Sequence, residues 1–270
     1  MNFMSPISSH HSVPTGPLSR WIRSFAVIAA LLSLTAFAHA QPSEDTIVAT
    51  INGEPVSAGE YSLVMGRQAP RVYALLKREK NLDDHIGYWS PDSGPEGPFA
   101  KLRQTVLEEL TKIKVQQTMA KDKGVTKDVS FTTFHEGFQK ENQRRKEALA
   151  NGTVIYGPKQ HDETAYYFIL FGDLSYRLKQ KVCKETAPKI PEEEIRKFYD
   201  EYKDKAATLK DVPFEAARER IAEEIAGRNF DKHLPSLYQS AKVEVQEDLI
   251  RDLLPRHDVP PATPVKPDTN

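Results

Sequence analysis

Apolar residues recur at spacings of three and four over most of this chain, and this pattern predicts a mainly α protein. The strongest example runs from Phe99 through Leu102, Val106 and Leu110, and Gly124 supplies a natural end for that helix. Helices are predicted to begin at or near Ser57, Phe99, Ser130, Asp162, Glu192 and Pro213.

Two short segments near the ends of this helical region instead have the character of strands. Residues 47–52 are rich in β-branched side chains and lead into a turn signal at 53–55. Residues 242–246 alternate between polar and apolar positions. Ser57 and Glu60 have the spacing of a capping box, so the first helix is expected to follow the turn directly.

The third and fourth helices differ in how their apolar residues are arranged. Residues 140–146 of the third helix are almost all charged or amide-bearing, which places that half on the surface. Residues 166–171 of the fourth helix are apolar or aromatic in succession. This pattern predicts contact on nearly every side and a central position for that helix.

The N-terminal residues read as an export signal rather than as part of the fold. Arg20 and Arg23 precede an apolar run at 25–37, and small residues lead to an expected cleavage near Ala40. The run is short for a bilayer span, although an N-terminal anchor is the competing interpretation. We therefore expect a periplasmic or otherwise extracytoplasmic protein with no stable membrane span after cleavage.

The same pattern divides the chain into three parts. Residues 1–40 form the signal peptide, 41–246 a helical domain, and 247–270 a Pro-rich tail that is expected to be disordered. The tail begins with a short amphipathic piece at 249–254. The sequence contains no internal repeat.

Composition excludes some classes of partner. The chain has 37 basic and 38 acidic residues and a formal net charge of −1, so nucleic acid is not an expected partner. The single cysteine, Cys183, cannot form an internal disulfide. Stability must therefore come from the hydrophobic core.

No arrangement of reactive side chains in the sequence indicates an active site. No two histidines have helical metal-ligand spacing, and neither a nucleophile elbow nor a phosphate-binding glycine loop is present. Cys183 lies next to Val182 on a predicted helix and is expected to be a buried, inert thiol. The sequence thus predicts no catalytic residues, no cofactor and no metal.

Aromatic side chains are the remaining candidates for a binding surface. If the third and fourth helices pack side by side, their aromatic residues could form a groove for unfolded or extended polypeptide; the alternative is that they are ordinary core. The candidate client-binding residues are Phe131, Phe134, Phe138, Tyr166 and Tyr167.

Three segments, taken in order, resemble the SurA and PrsA group of exported chaperones. Residues 48–57 read Val-Ala-Thr-Ile-Asn-Gly-Glu-Pro-Val-Ser, similar to the strand, turn and capped helix that open this family's chaperone module. Residues 190–202 resemble the helix that precedes the family's isomerase domain, and 214–245 resemble the helix and strand that follow it. The resemblance implies a small two-stranded sheet in which 47–52 pairs with 242–246.

The resemblance departs from the family at one important point. Members that isomerise prolyl bonds carry a parvulin domain between the last two matching segments, whereas here only residues 203–212 lie there. The family's catalytic residues therefore have no positions in this chain. The resemblance implies a chaperone module that lacks the isomerase.

These observations lead to one principal hypothesis and two alternatives. The principal hypothesis is an extracytoplasmic, ATP-independent holdase whose partners are unfolded polypeptide clients. One alternative is a peptidyl-prolyl cis–trans isomerase family member with residual or no activity. The other is a structural or assembly subunit with one fixed partner.

Overall fold

The structure is a computed structural model that describes residues 42–82 and 87–255, and it confirms the mainly α fold. The residues predicted to form a signal peptide, and the Pro-rich residues from 256 onward, lie outside the described residues. The helices are α1 (Ala58–Lys80), α2 (Pro98–Asp122), α3 (Phe131–Ala150), α4 (Glu163–Thr186), α5 (Glu192–Tyr202), α6 (Phe214–Gln239) and α7 (Glu247–Arg251). The strands are β1 (Ile47–Ile51), β2 (Glu54–Ser57) and β3 (Val243–Val245).

The sheet joins the two ends of the described chain, as expected. β1 pairs antiparallel with β3, with Ala49 opposite Val245 and Ile51 opposite Val243. The Asn52 amide donates to the Lys242 carbonyl at 2.8 Å and extends the pairing by one residue.

The sheet has three strands rather than the expected two, in the order β2-β1-β3. Asn52 and Gly53 have φ values of 51° and 83°, and these positive angles close a two-residue hairpin that pairs Ile51 with Glu54. Pro55 is tolerated because β2 is an edge strand. The segment interpreted as a simple turn is therefore a turn followed by a strand.

The first helix begins where the capping pattern indicated, but Glu60 serves another purpose. Ser57 Oγ accepts a hydrogen bond from the Glu60 amide at 3.2 Å, which is the expected N-cap. The Glu60 carboxylate turns inward to Lys114 and Tyr167. α1 continues through Pro70 to Lys80 without a break.

The main hydrophobic core lies between the sheet, α1 and α2. Its buried residues include Val48, Val64, Leu110 and Ile113. Ile250 of α7 is also part of this core. The packed body thus continues past the boundary expected at residue 246, because the amphipathic piece folds back onto the core.

A second core joins α5 and α6 to the C-terminal part of α4. It contains Cys183, Ile195 and Ile221, all buried. The connection between α5 and α6 packs against this core, and the Tyr199 hydroxyl donates to the Val212 carbonyl at 2.7 Å. The segment that separates the two family-like matches is therefore a compact connection.

α4 is central in its contacts but is not covered on all sides. It packs against α1, α2, α3 and α6, whereas Ile169 is 56% exposed and Leu170 is 40% exposed. The expectation of contact on nearly every side was wrong, because α3 covers only one flank of this helix. Within residues 42–82 and 87–255, every helix is too short or too polar to cross a bilayer.

Candidate functional site

The five predicted aromatic residues do come together, between the first half of α3 and the start of α4. We call Phe131, Phe134, Phe138, Tyr166 and Tyr167 the ring cluster. Phe134 is its centre, with ring centroids 5.3 Å from Phe131, 6.3 Å from Phe138, 6.2 Å from Tyr166 and 5.0 Å from Tyr167. The Phe134 and Tyr167 rings meet edge to face, which is a favourable geometry for two aromatic rings.

Tyr167 differs from the other four rings because it belongs to the core. It is 4% exposed, and its hydroxyl donates to Glu60 Oε1 at 2.5 Å. Burial, together with the neighbouring carboxylate of Glu60, raises the pKa of Tyr167 well above its usual range, so the hydroxyl stays protonated. Tyr167 therefore anchors the cluster, and the four half-buried rings form its accessible part.

Polar contacts near the ends of α3 position the ring cluster. Ser130 Oγ accepts from the Thr133 amide at 3.2 Å and caps the first turn. Near the other end, Arg145 Nη1 donates to the carbonyl oxygens of Tyr156 and Pro158. None of the α3 side chains is fully buried, so the helix is held by its ring face and by these polar contacts.

A pocket of about 210 Å³ opens beside the ring cluster, and we call it the α3–α4 pocket. Its apolar wall comes from both helices and its rim carries hydroxyls, two carboxylates and one guanidinium. The lining residues are Gln117, Thr126, Asp128, Val129, Ser130, Thr133, Phe134, Gly137, Tyr167, Leu170, Phe171, Asp173, Leu174 and Arg177. Gly137 widens the pocket, since a Cβ there would have no atom within 4 Å.

Gln117 contributes a buried polar group to this pocket, and sequence reasoning missed it. Its side chain lies next to the Tyr167 hydroxyl. Gln117 is 7% exposed, and its Oε1 has no hydrogen-bond partner among the described residues. The sequence feature that could have identified Gln117 is its position, a polar residue within the apolar stripe of α2 and one turn after Ile113.

A second pocket, of about 370 Å³, lies on the other side of Phe131. Small residues of α1 form its floor, including Gly59, Ser62 and Gly66. The Phe131 ring lies directly over Gly59, where an added Cβ would come within 2.6 Å of the ring. Only glycine permits this approach of α3 to α1.

His135, Cys183 and His233 lie on three different helices. His135 contacts Glu163 at 2.9 Å and its ring centroid lies 6.3 Å from that of Phe131, whereas His233 lies on α6. No group of His, Cys, Asp or Glu in residues 42–82 and 87–255 has the arrangement of a metal site. Cys183 is buried, and burial raises the pKa of its thiol.

A second aromatic group lies on α5. Phe198 and Tyr202 stack with centroids 4.5 Å apart, and the Arg228 guanidinium lies 4.7 Å from the Phe198 ring. The stacking and the cation–π contact thus give both rings partners within the α5–α6 core. It offers a comparison region for experiments on the ring cluster.

Fold and site together define a mainly helical protein with paired end strands and an aromatic-lined pocket between two helices. Over 182 residues the chain is 23% identical to the foldase protein PrsA of Caldanaerobacter subterraneus subsp. tengcongensis. The match covers 67% of this chain and 51% of that protein, so the chain spans about half the length of this curated relative. This distant, partial similarity agrees with the resemblance of the three segments. The sequence matches no family model, and no solved structure matches it.

Proposed function

We propose that this protein is an extracytoplasmic, ATP-independent holdase that binds exposed apolar segments of unfolded polypeptides. The observation that carries the proposal is the α3–α4 pocket, an opening whose apolar wall includes the Phe134, Tyr167 and Phe171 rings. The similarity to a foldase supports the same conclusion. The apparent signal peptide in the sequence supports an extracytoplasmic location.

The physical argument rests on apolar surface that the fold leaves uncovered. Leu170 on the pocket wall is apolar and yet 40% exposed. Contiguous apolar surface rimmed by polar groups marks interaction sites in soluble proteins. Covering apolar surface with a client is favourable and offsets the entropy that the client loses on binding.

The site is suited to clients without a fixed shape. α3 has no fully buried side chain, so it can shift on α4 at little cost compared with an element of the main core. Aromatic rings also accept varied apolar groups, because stacking and edge contacts do not require one unique geometry. The proposed substrate class is therefore unfolded polypeptide in general.

The direct test is suppression of aggregation without nucleotide. Chemically unfolded citrate synthase is diluted into buffer with and without the mature protein, and light scattering is followed. We expect scattering to fall as the protein approaches an equimolar ratio. Unchanged scattering at equimolar protein would overturn the proposal.

A variant that fills the pocket tests the location of the site. Gly137→Leu places a side chain into the open pocket without an initial clash, and leucine has a helix propensity about 0.5–1 kcal/mol better than glycine. We expect this variant to fold at least as stably as the wild type and to lose most of its suppression.

Gly172→Leu is the matched control, because Gly172 is also helical and open but does not line the α3–α4 pocket. This control should suppress aggregation as the wild type does. Equal activity of the two leucine variants would place client binding elsewhere.

Truncation of a ring provides an independent check. Phe138→Ala removes an outer ring of the cluster, whereas Phe198→Ala removes a ring from the comparison region on α5. We expect only the first to weaken suppression. A single stoichiometric partner in pull-downs from the native organism, in place of many clients, would instead favour the assembly-subunit alternative.

A further inference from the structure

Asn-Gly pairs occur twice in this chain, at 52–53 and at 151–152, and the structure holds the two pairs differently. In an Asn-Gly pair the asparagine side chain is open to attack by the next backbone nitrogen, because glycine has no Cβ to hinder the approach. All four residues are exposed, so water reaches both pairs. What separates the two pairs is therefore their hydrogen bonding.

Asn52 is held on two sides by Lys242. Asn52 Oδ1 accepts from the Lys242 amide at 2.8 Å, and the Asn52 amide donates to the Lys242 carbonyl at 2.8 Å. Asn52 and Gly53 also form the turn of the hairpin between β1 and β2. The Asn52 side chain can thus turn toward the Gly53 nitrogen only after it has left Lys242 and the sheet has opened locally.

Asn151 has no such restraint on its side chain. It directly follows the last residue of α3, and its side chain forms no hydrogen bond with any described residue. Backbone bonds alone hold the turn, with the Gly152 amide donating to the Leu149 carbonyl at 3.1 Å. Because α3 has no fully buried side chain, its last turn opens at little cost and releases the Gly152 nitrogen.

We propose that Asn151 is a site of spontaneous deamidation and isoaspartate formation in the folded protein, whereas Asn52 is protected. The Gly152 nitrogen bonds to the side-chain carbonyl carbon of Asn151 and gives up its proton to solvent. The side-chain amide leaves as ammonia, and a cyclic imide remains. Water then opens the imide at either carbonyl, so one water is consumed, one ammonia is released, and aspartate or isoaspartate is left.

This modification changes the junction between α3 and α4. Isoaspartate adds a carbon atom to the main chain within the turn that the Thr153 amide closes by donating to the Ala148 carbonyl at 2.8 Å. Either product also puts a carboxylate at the C-terminal end of α3, where the helix dipole disfavours negative charge. The modified protein should therefore exchange its backbone amides faster at the end of α3.

The test compares the two Asn-Gly pairs in the same molecule. Mature protein is kept in mildly alkaline buffer made with heavy-oxygen water, folded in one series and unfolded in urea in the other. Samples are digested in ordinary water, and each Asn-Gly peptide is quantified by mass spectrometry. Only conversion before digestion incorporates heavy oxygen, and electron-transfer fragmentation separates isoaspartate from aspartate.

In urea the two pairs should convert at similar rates, because the reacting dipeptide is the same. In the folded protein Asn52 should convert at least about tenfold more slowly than Asn151, since a factor of ten corresponds to about one hydrogen bond that must first be broken. Asn151→Gln is the matched variant. Glutamine keeps the amide but would have to form a six-membered ring, so labelling at this position should fall to background.

Three results would overturn the proposal: equal rates at Asn52 and Asn151 in the folded protein, an Asn151 peptide labelled only in urea, or labelling at this position that persists in Asn151→Gln. Hydrogen exchange then tests the consequence for α3. Aged wild type should exchange faster than aged Asn151→Gln at residues 148–153, and equal exchange would overturn the effect on the helix end alone.

Discussion

The buried ion pair between α1 and α2 allows a quantitative prediction about stability. Glu60 and Lys114 have side chains only 1% and 3% exposed, with Nζ and Oε2 2.8 Å apart. Two charges so deep in the core are tolerated because each neutralises the other. Tyr167 adds a third contact, its hydroxyl donating to Glu60 Oε1.

Replacing only the lysine should be much worse than replacing both partners. Lys114→Met leaves the Glu60 carboxylate buried without its cation, which costs about 3–5 kcal/mol. For a protein of this size, that loss lowers the melting temperature by about 6–20 °C. The double variant Glu60→Gln, Lys114→Met leaves no buried charge and should recover most of the loss. Tyr167→Phe should cost about 1–3 kcal/mol, since one acceptor of Glu60 loses its donor.

Urea denaturation followed by circular dichroism measures these differences, with all variants analysed at one pH. Glutamine has nearly the same size and shape as glutamate, so the double variant is the matched control for the packing that is lost with Lys114→Met. Two results would refute the reasoning: a single Lys114→Met change costing less than about 1 kcal/mol, the range of exposed ion pairs, or a double variant as unstable as the single one.

Three further predictions concern other parts of the fold. Ile250→Ala should destabilise the protein by about 2–5 kcal/mol in urea denaturation, because α7 belongs to the main core; a change within 0.5 kcal/mol, the range of surface sites, would contradict this. Hydrogen bonds from Arg144 lower the pKa of Glu141 from 4.5 to about 2, so their contribution to α3 is present above pH 4.5 and is lost as the pH falls toward 2. Glu141→Gln should therefore flatten the acid side of the stability curve, and an unchanged curve would disprove it. Cys183 should react with a thiol reagent only after unfolding, because burial raises its pKa and shields it; rapid reaction of the native protein would show otherwise.

Much of the secondary structure could be predicted because its signals are local. The Ser57 and Ser130 caps and the helical periods depend on residues within a few positions of one another. The strand β2 was missed because it depends on Asn52 and Gly53 both adopting positive φ, and because Pro55 argues against a strand unless the edge position is known.

The candidate site was predictable in part. The ring cluster was anticipated because its members recur on two neighbouring helices. Gln117 could not be identified, since its importance comes from Tyr167 and Glu60, which lie on other helices. The exposed Leu170 was misjudged for the same reason: an apolar run does not reveal how many neighbours the fold provides.

The pairing of β1 with β3 has a consequence for how a newly made chain matures. Thr50 and Glu244, hydrogen-bonded across these strands at 3.2 Å, are separated by 194 positions. β1 can therefore pair with β3 only after the chain up to Val245 has been synthesised, and contacts between such distant residues form slowly. A product that terminates before β3 would keep an unpaired edge on β1, and such edges promote aggregation. Closure of this part of the sheet thus depends on synthesis of the chain at least as far as Val245.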